Sequence, residues 1–234
     1  LVLPTEAELA AVLDAVADAD LDAYEDDTVE GPLVAEMPTP GTITDEDTDA
    51  ALGTTTWTLS NGIRIVLKPT DFKADEVWLQ ATSPGGTSLL DDDEIAAAGG
   101  AAGYVGAAGV GAFDQVALGK KLSGQIVQVR PMIAGDTEGF SGRAAPADLE
   151  TLFQLVHLYV TAPRRDEAAF QASLAQTRGF LSNQVVSPQV AFSDTLSQTL
   201  NGYHPRSRTL ARYLADLDRA DLDGSAVHPG EFPF

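Results

Sequence analysis

The sequence predicts an α+β fold, an antiparallel-rich mixed sheet with helices packed mainly on one face. The prediction rests on strand-like segments in two groups, near 57–83 and 125–144, and on helical patterns that fill most of 146–217. At 234 residues and 44% hydrophobic content, the chain can bury one substantial core or two small ones.

The elements follow in order. Thr5 to Tyr24 reads as a helix: Thr5 caps it, Glu8 sits three residues on, and Leu9, Val12, Leu13 and Val16 form a stripe. Glu25 to Leu52 is polar and interrupted by Gly31, Pro32, Pro38, Pro40 and Gly41, which predicts an extended linker that wraps or joins domains. Trp57 to Pro69 carries Asn61-Gly62 between β-rich runs, the signature of a hairpin. Glu76 to Ser83 alternates apolar and polar residues and stops at Pro84-Gly85-Gly86, so it suits a strand with one buried face.

An Ala- and Gly-rich helix follows. Asp91-Asp92-Asp93-Glu94 caps it and meets the positive end of its dipole. Gly99, Gly100, Gly103 and Gly106 each cost about 1 kcal/mol relative to alanine, which predicts close packing against another backbone as compensation. Gly109 to Gly111 ends this helix, Asp114 to Leu122 forms a short one, and strands at Gln125–Ile133 and Phe140–Ala144 make a second hairpin for the same sheet. Pro146 opens a helix whose buried face is read as Leu149, Leu152, Phe153, Val156 and Val160, ending before Pro163. Further helices are expected from Asp166 to Asn183, Gln189 to Leu200 and Leu210 to Leu217. Three stretches result: an acidic helix and linker over 1–51, an α/β domain over 52–222, and a truncated or irregular tail over 223–234.

The net charge is −21, and residues 1–63 hold fifteen Asp and Glu with no Lys or Arg. Such a field repels phosphates and anionic lipid, which argues against nucleic acid and membrane as partners. The excess of Asp over Glu, with only four lysines, points to a high-salt habitat where repulsion is screened. Without cysteine there is neither a disulfide nor a thiolate metal site. No apolar run approaches the ~20 residues that span a bilayer. The amino terminus lacks the basic and apolar regions of a signal peptide, and a start without methionine reads as an excised piece or mature form.

Site chemistry is weighed residue by residue. His157 lies one position past an apolar stripe and reads as a histidine at the core edge; His204 and His228 are dispersed, so the three offer no zinc spacing. Asp91 to Glu94 reads as a cap before it reads as a metal site. Asp18, Asp20 and Asp22 open like a calcium loop, but Ala23 and Val29 stand where glycine and the bidentate glutamate belong. The glycine run has no Gly-Lys-Ser/Thr to make a phosphate loop, and Gly139-Phe140-Ser141-Gly142 is one residue short of a nucleophile elbow. No acid pair sits in an apolar setting that would drive their pKa values apart.

The phrases LSNGIRIVLKPTDFKADEV, SPGGTSL and EGFSGRAAPADLETLFQLVHLYVTAPRRDEAAF resemble the pitrilysin/insulinase zinc metallopeptidases, or inverzincins, over roughly Leu52 to Leu222. The resemblance implies an α/β half domain and, in one half of the enzyme, an H-x-x-E-H helix that binds zinc. That motif falls near Gly99 to Gly103, where no histidine or glutamate stands. The third ligand, a glutamate roughly 75 residues on, falls near Phe180, in a stretch without acids. A catalytic zinc needs three imidazole or carboxylate ligands. The resemblance therefore implies a non-catalytic half: no catalytic, cofactor-binding or metal residues in this chain, zinc in a partner catalytic half, unfolded peptides as substrates, and a periplasmic or secreted location. The alternative is a stand-alone scaffold or assembly subunit of the same fold.

Overall fold

The computed structural model describes residues 4–17, 30–92, 94–95, 100–204, 206–207, 209–220 and 222. Among them are six strands, β1 (Ile43–Asp49), β2 (Thr54–Leu59), β3 (Arg64–Leu67), β4 (Val77–Pro84), β5 (Val127–Ile133) and β6 (Thr137–Ala144). The helices are α1 (Glu6–Ala17), α2 (Ala101–Ala108), α3 (Gln115–Lys121), α4 (Leu149–Thr161), α5 (Glu167–Val185), α6 (Pro188–Leu200) and α7 (Leu210–Asp216).

The strands form two antiparallel sheets, β1-β2-β3 and β4-β6-β5, where the sequence reading expected both hairpins in one. The Asn61-Gly62 turn closes β2 on β3, with Leu59 N donating to Ile63 O at 2.8 Å and Gly62 at φ 88°. The outer partner of β2 is β1, which lies in the stretch expected as linker. Its sequence ITDEDTD carries no apolar alternation and every residue is exposed, so only backbone pairing marks it as a strand. The first sheet contributes no residue to either core cluster.

In the second sheet, Leu79, Ala81, Val129, Phe140 and Ala144 point toward α4 and α2, while Trp78, Arg130 and Arg143 stand on the exposed opposite face. Helices thus cover one face, as the alternation in β4 requires. Leu152 of α4 is fully buried and packs onto the backbone of β6, where a Cβ at Gly142 would stand 3.0 Å from Leu152 Cδ1. The buried face of α4 is Leu152, Leu155, Leu158 and Tyr159; Phe153, expected inside, is 52% exposed. Glu150, Gln154, His157 and Thr161 form the polar stripe of this helix, and Phe153 stands at the border of its apolar face, where contact with the sheet decides what is covered.

A second cluster joins Tyr104 of α2, Phe170, Leu174 and Leu181 of α5, and Leu217. Tyr104 and Phe170 meet edge to face at 4.8 Å. Before the sheets, Leu33 and Val34 are buried in the main core, and Lys121 Nζ donates to Gly31 O, so this part of the expected linker is an anchored strap. The Thr5 capping box forms, with Thr5 N to Glu8 Oε2 at 2.7 Å and Glu8 N to Thr5 Oγ1 at 3.3 Å. The expected continuation of α1 to Tyr24, the Asp18, Asp20 and Asp22 series, His228 and the tail 223–234 lie outside the described residues.

Candidate functional site

The site is a groove between α2 and the free edge of β5. In the order β4-β6-β5, β5 is an outer strand. Flanking bonds fix which of its groups face outward: Ile126 O accepts from Ala145 N at 2.9 Å and Ala134 N donates to Thr137 O at 2.8 Å, both on the β6 side. By alternation, the backbone groups of Val127, Val129, Pro131 and Ile133 point to the open edge. Pro131 fits there because its missing N–H breaks no ladder bond with β6. Among the described residues no strand pairs with that edge.

Opposite it, α2 ends at Gly109, whose φ of 85° suits glycine, since a Cβ there would overlap Phe113 O. Helix α3 starts on Asp114, whose carboxylate accepts from Ala117 N at 2.8 Å. Between these helices and β5 lies a cleft of about 470 Å³, walled by Ala102, Gly103 and Gly106 on one side and Val127 to Pro131 on the other. The expectation that the glycines of α2 are packed against backbone fails at Gly103 and Gly106, where a Cβ would have no atom within 4 Å. They leave open space instead. Gly100 does make a close approach, for a Cβ there would stand 2.5 Å from Tyr104 Oη.

A second cavity of about 250 Å³ shares Ala102 and Gly103 with the wall of the cleft and is bounded also by Thr87, Tyr104, Ile133, Ser173, Thr177 and Tyr213. Tyr104 is buried, and among the described residues its hydroxyl has no hydrogen-bond partner. Burial pushes its pKa up to about 12, with Tyr213 adding to the effect. Arg206 holds the turn that carries Thr87: Nη1 donates to Thr87 O at 2.9 Å, Nη2 to Leu90 O at 2.8 Å and Nε to Asp92 Oδ1 at 2.9 Å.

The stretch where H-x-x-E-H is expected forms the start of α2, with Gly99 itself outside the described residues. Its side chains from Ala96 to Gly103 are methyl groups or hydrogens. Phe180, expected beside it, is 61% exposed; the α5 residues near α2 are Phe170 and Leu174, packed with Tyr104, and Ser173 and Thr177, which line the smaller cavity. None of these groups is an imidazole or carboxylate, so this donor set does not fit a catalytic zinc. His157 is half-buried on α4 and His204 is exposed in a loop, far apart in the chain and on different elements. Asp91 and Glu94 form a local cap, Asp91 N donating to Glu94 Oε2 at 2.9 Å. Gly139 to Gly142 lie within β6 rather than on a strand-to-helix turn. Among the described residues no group of three or more His, Cys, Asp or Glu is placed to hold a metal ion, and no helix is long and apolar enough to cross a membrane.

The reading of the sequence missed Thr177. It occupies the stripe position between Phe170, Leu174 and Leu181 on α5, where helical spacing calls for an apolar residue. That break in the pattern is the signal.

A scan against protein-family models finds none that matches. Over 158 residues the chain is 27% identical to "Zinc protease PQQL-like" of Arabidopsis thaliana, covering 65% of this chain and 14% of that protein. Over 122 residues it is 25% identical to "Probable zinc protease PqqL" of Haemophilus influenzae, covering 52% and 13%. The chain therefore spans only a small part of the curated relatives it matches. Among solved structures, the periplasmic protease PqqL of Escherichia coli superposes with a TM-score of 0.65 at 19% identity, over 95% of this chain and 24% of that one. The ferredoxin protease FusC, solved as a mutant with Arabidopsis ferredoxin, gives 0.64 at 20%, over 96% and 26%. By sequence and fold, the chain is a relative of the pitrilysin/insulinase-family zinc proteases.

Proposed function

We propose that this chain is a non-catalytic domain of a zinc-dependent metalloendopeptidase, which pairs with a zinc-binding half to enclose and bind unfolded peptides. The observation that carries this reading is the open edge of β5 above a cleft whose facing helix has neither imidazole nor carboxylate at the expected ligand positions. An extended peptide adds to such an edge through its backbone, and its alternate side chains enter the cleft. The peptide bond is cut in the partner half, where zinc supplies the activated water; the role of this chain is to hold and orient the strand. Residues 52–222 then form the peptidase-like unit, onto which the strap at 31–34 and β1 are packed. The periplasmic relative favours a periplasmic or secreted location.

Zinc binding and pairing test the proposal separately. After dialysis against trace zinc, the purified chain is expected to retain less than about 0.1 zinc per molecule; close to one tightly held zinc would overturn the non-catalytic assignment. Added to its zinc-binding half, it is expected to change the rate of peptide cleavage, and no change would remove the pairing.

A further inference from the structure

We propose that Arg130 makes the edge of β5 selective for a peptide with an acidic side chain, aspartate or glutamate, at the one position directly opposite it. The inference rests on the peptide-binding reading above and names the substrate class of that groove. The backbone sets the register. Every strand pair in both sheets is antiparallel. A peptide that extends the second sheet in the same way bonds to the outward-facing backbone of Val127, Val129, Pro131 and Ile133. Arg130 turns its own N–H and C=O to β6, opposite Ser141. The peptide residue across from it therefore forms a non-hydrogen-bonded pair, in which the Cα atoms stand only ~4.5 Å apart and the side chains come closest. Both side chains of such a pair project from one face. Arg130 is exposed on the face that the helices leave open, whereas Val129 is buried on the other.

Charge decides what suits that position. In a chain of net charge −21, the open face of this sheet carries no acid: β5 places Gln128, Arg130 and Met132 there, and β6 places Ser141 and Arg143. Arg143 has an anion near it in Glu76, which lies just before β4 and whose carboxyl is held below the usual range first by the Trp78 indole N–H, then by Lys73 and Arg143. Arg130 has none, for among the described residues no carboxylate pairs with it. Its partner is neutral: the Gln128 amide, in the orientation that satisfies both groups, accepts from Nη2 at 2.9 Å and Nε at 3.3 Å. That contact orients the guanidinium along the strand and leaves its charge uncompensated. An acidic side chain across the pair supplies the anion, a lysine there adds like-charge repulsion, and a neutral residue does neither. The negative field of the whole chain acts on a charge anywhere in the peptide, and salt screens it beyond ~10 Å. The Arg130 pair acts at one position only.

The test uses labelled strand-forming peptides, identical except for Glu, Gln or Lys at one guest position, with that position scanned along the peptide. Binding to the whole chain is followed by fluorescence anisotropy. At one position Glu should bind about two- to five-fold tighter than Gln, and Lys more weakly than Gln, the range of an exposed cross-strand ion pair. Arg130→Gln should abolish that preference and Arg130→Glu should reverse it, at that position and no other, while both variants bind the Gln peptide as the parent does. Absence of a Glu preference at every position, or an order that survives Arg130→Glu, would overturn the role of Arg130 and leave the groove standing. No binding by any peptide would remove the peptide-binding reading and this inference with it.

Discussion

Replacing Gly103 with leucine separates the stability of α2 from the use of the groove. A Cβ at Gly103 meets no atom within 4 Å, and the residue is exposed and walls both cavities. Glycine inside a helix costs roughly 0.8–1 kcal/mol relative to a good helix former. The substitution should therefore stabilise the fold, raising Tm by about 2–4 °C for a chain of this size. The same side chain projects into the cleft that an added strand would occupy, so peptide affinity should fall by about ten-fold or more, equivalent to at least 1.4 kcal/mol of binding. Thermal unfolding by circular dichroism reads the first effect, and peptide anisotropy the second. Gly179→Ala is the control: Gly179 lies within α5 with nothing near its Cβ position, borders neither cavity, and should give the Tm rise alone. A drop in Tm for Gly103→Leu would mean that α2 is packed closely at that point and the groove is closed. A stable variant with unchanged affinity would place the peptide elsewhere.

Leu152→Ala should cost about 2–5 kcal/mol in urea unfolding, because Leu152 is fully buried against β6 and the site cannot collapse onto a sheet backbone; a loss below about 1 kcal/mol would contradict the packing of α4. Gly139 has φ 151° and a Cβ there would overlap Ala81 O, so Gly139→Ala should part β4 from β6 and cost roughly 2–4 kcal/mol, visible as a lower denaturation midpoint. Asp166 caps α5: the Ala169 N–H, and then Arg164, hold its carboxyl below the usual carboxylate range. A depressed pKa contributes stability above the unfolded value of ~3.9 and loses it as pH falls through the folded value. The parent should thus melt above Asp166→Ala at pH 6, and the gap should narrow below about pH 4; a gap that widens on acidification would reverse the assignment.

Local chemistry was legible in the sequence wherever neighbours in the chain decide the outcome. The Asn61-Gly62 turn, the Thr5 cap, the Gly109 stop, the proline opening before α4 and the helix starts near Asp114 and Asp166 all stand where the residues predict. So did the family resemblance, carried by long phrases rather than by periodicity. That residues 96–103 carry no imidazole or carboxylate is a matter of residue identity alone.

Tertiary structure decided what depends on partners distant in the chain. Exposed β1 exists because β2 pairs with it, and its acidic sequence carries no mark of that. Phe153 stands at the border of the apolar face of α4, and the position of the sheet leaves it outside the core while Leu155 is buried. The glycines of α2 look alike in sequence, yet Gly100 sits against the ring of Tyr104 while Gly103 and Gly106 face empty space. A missing side chain can permit close contact or leave a void, and only the placement of the opposing surface distinguishes the two.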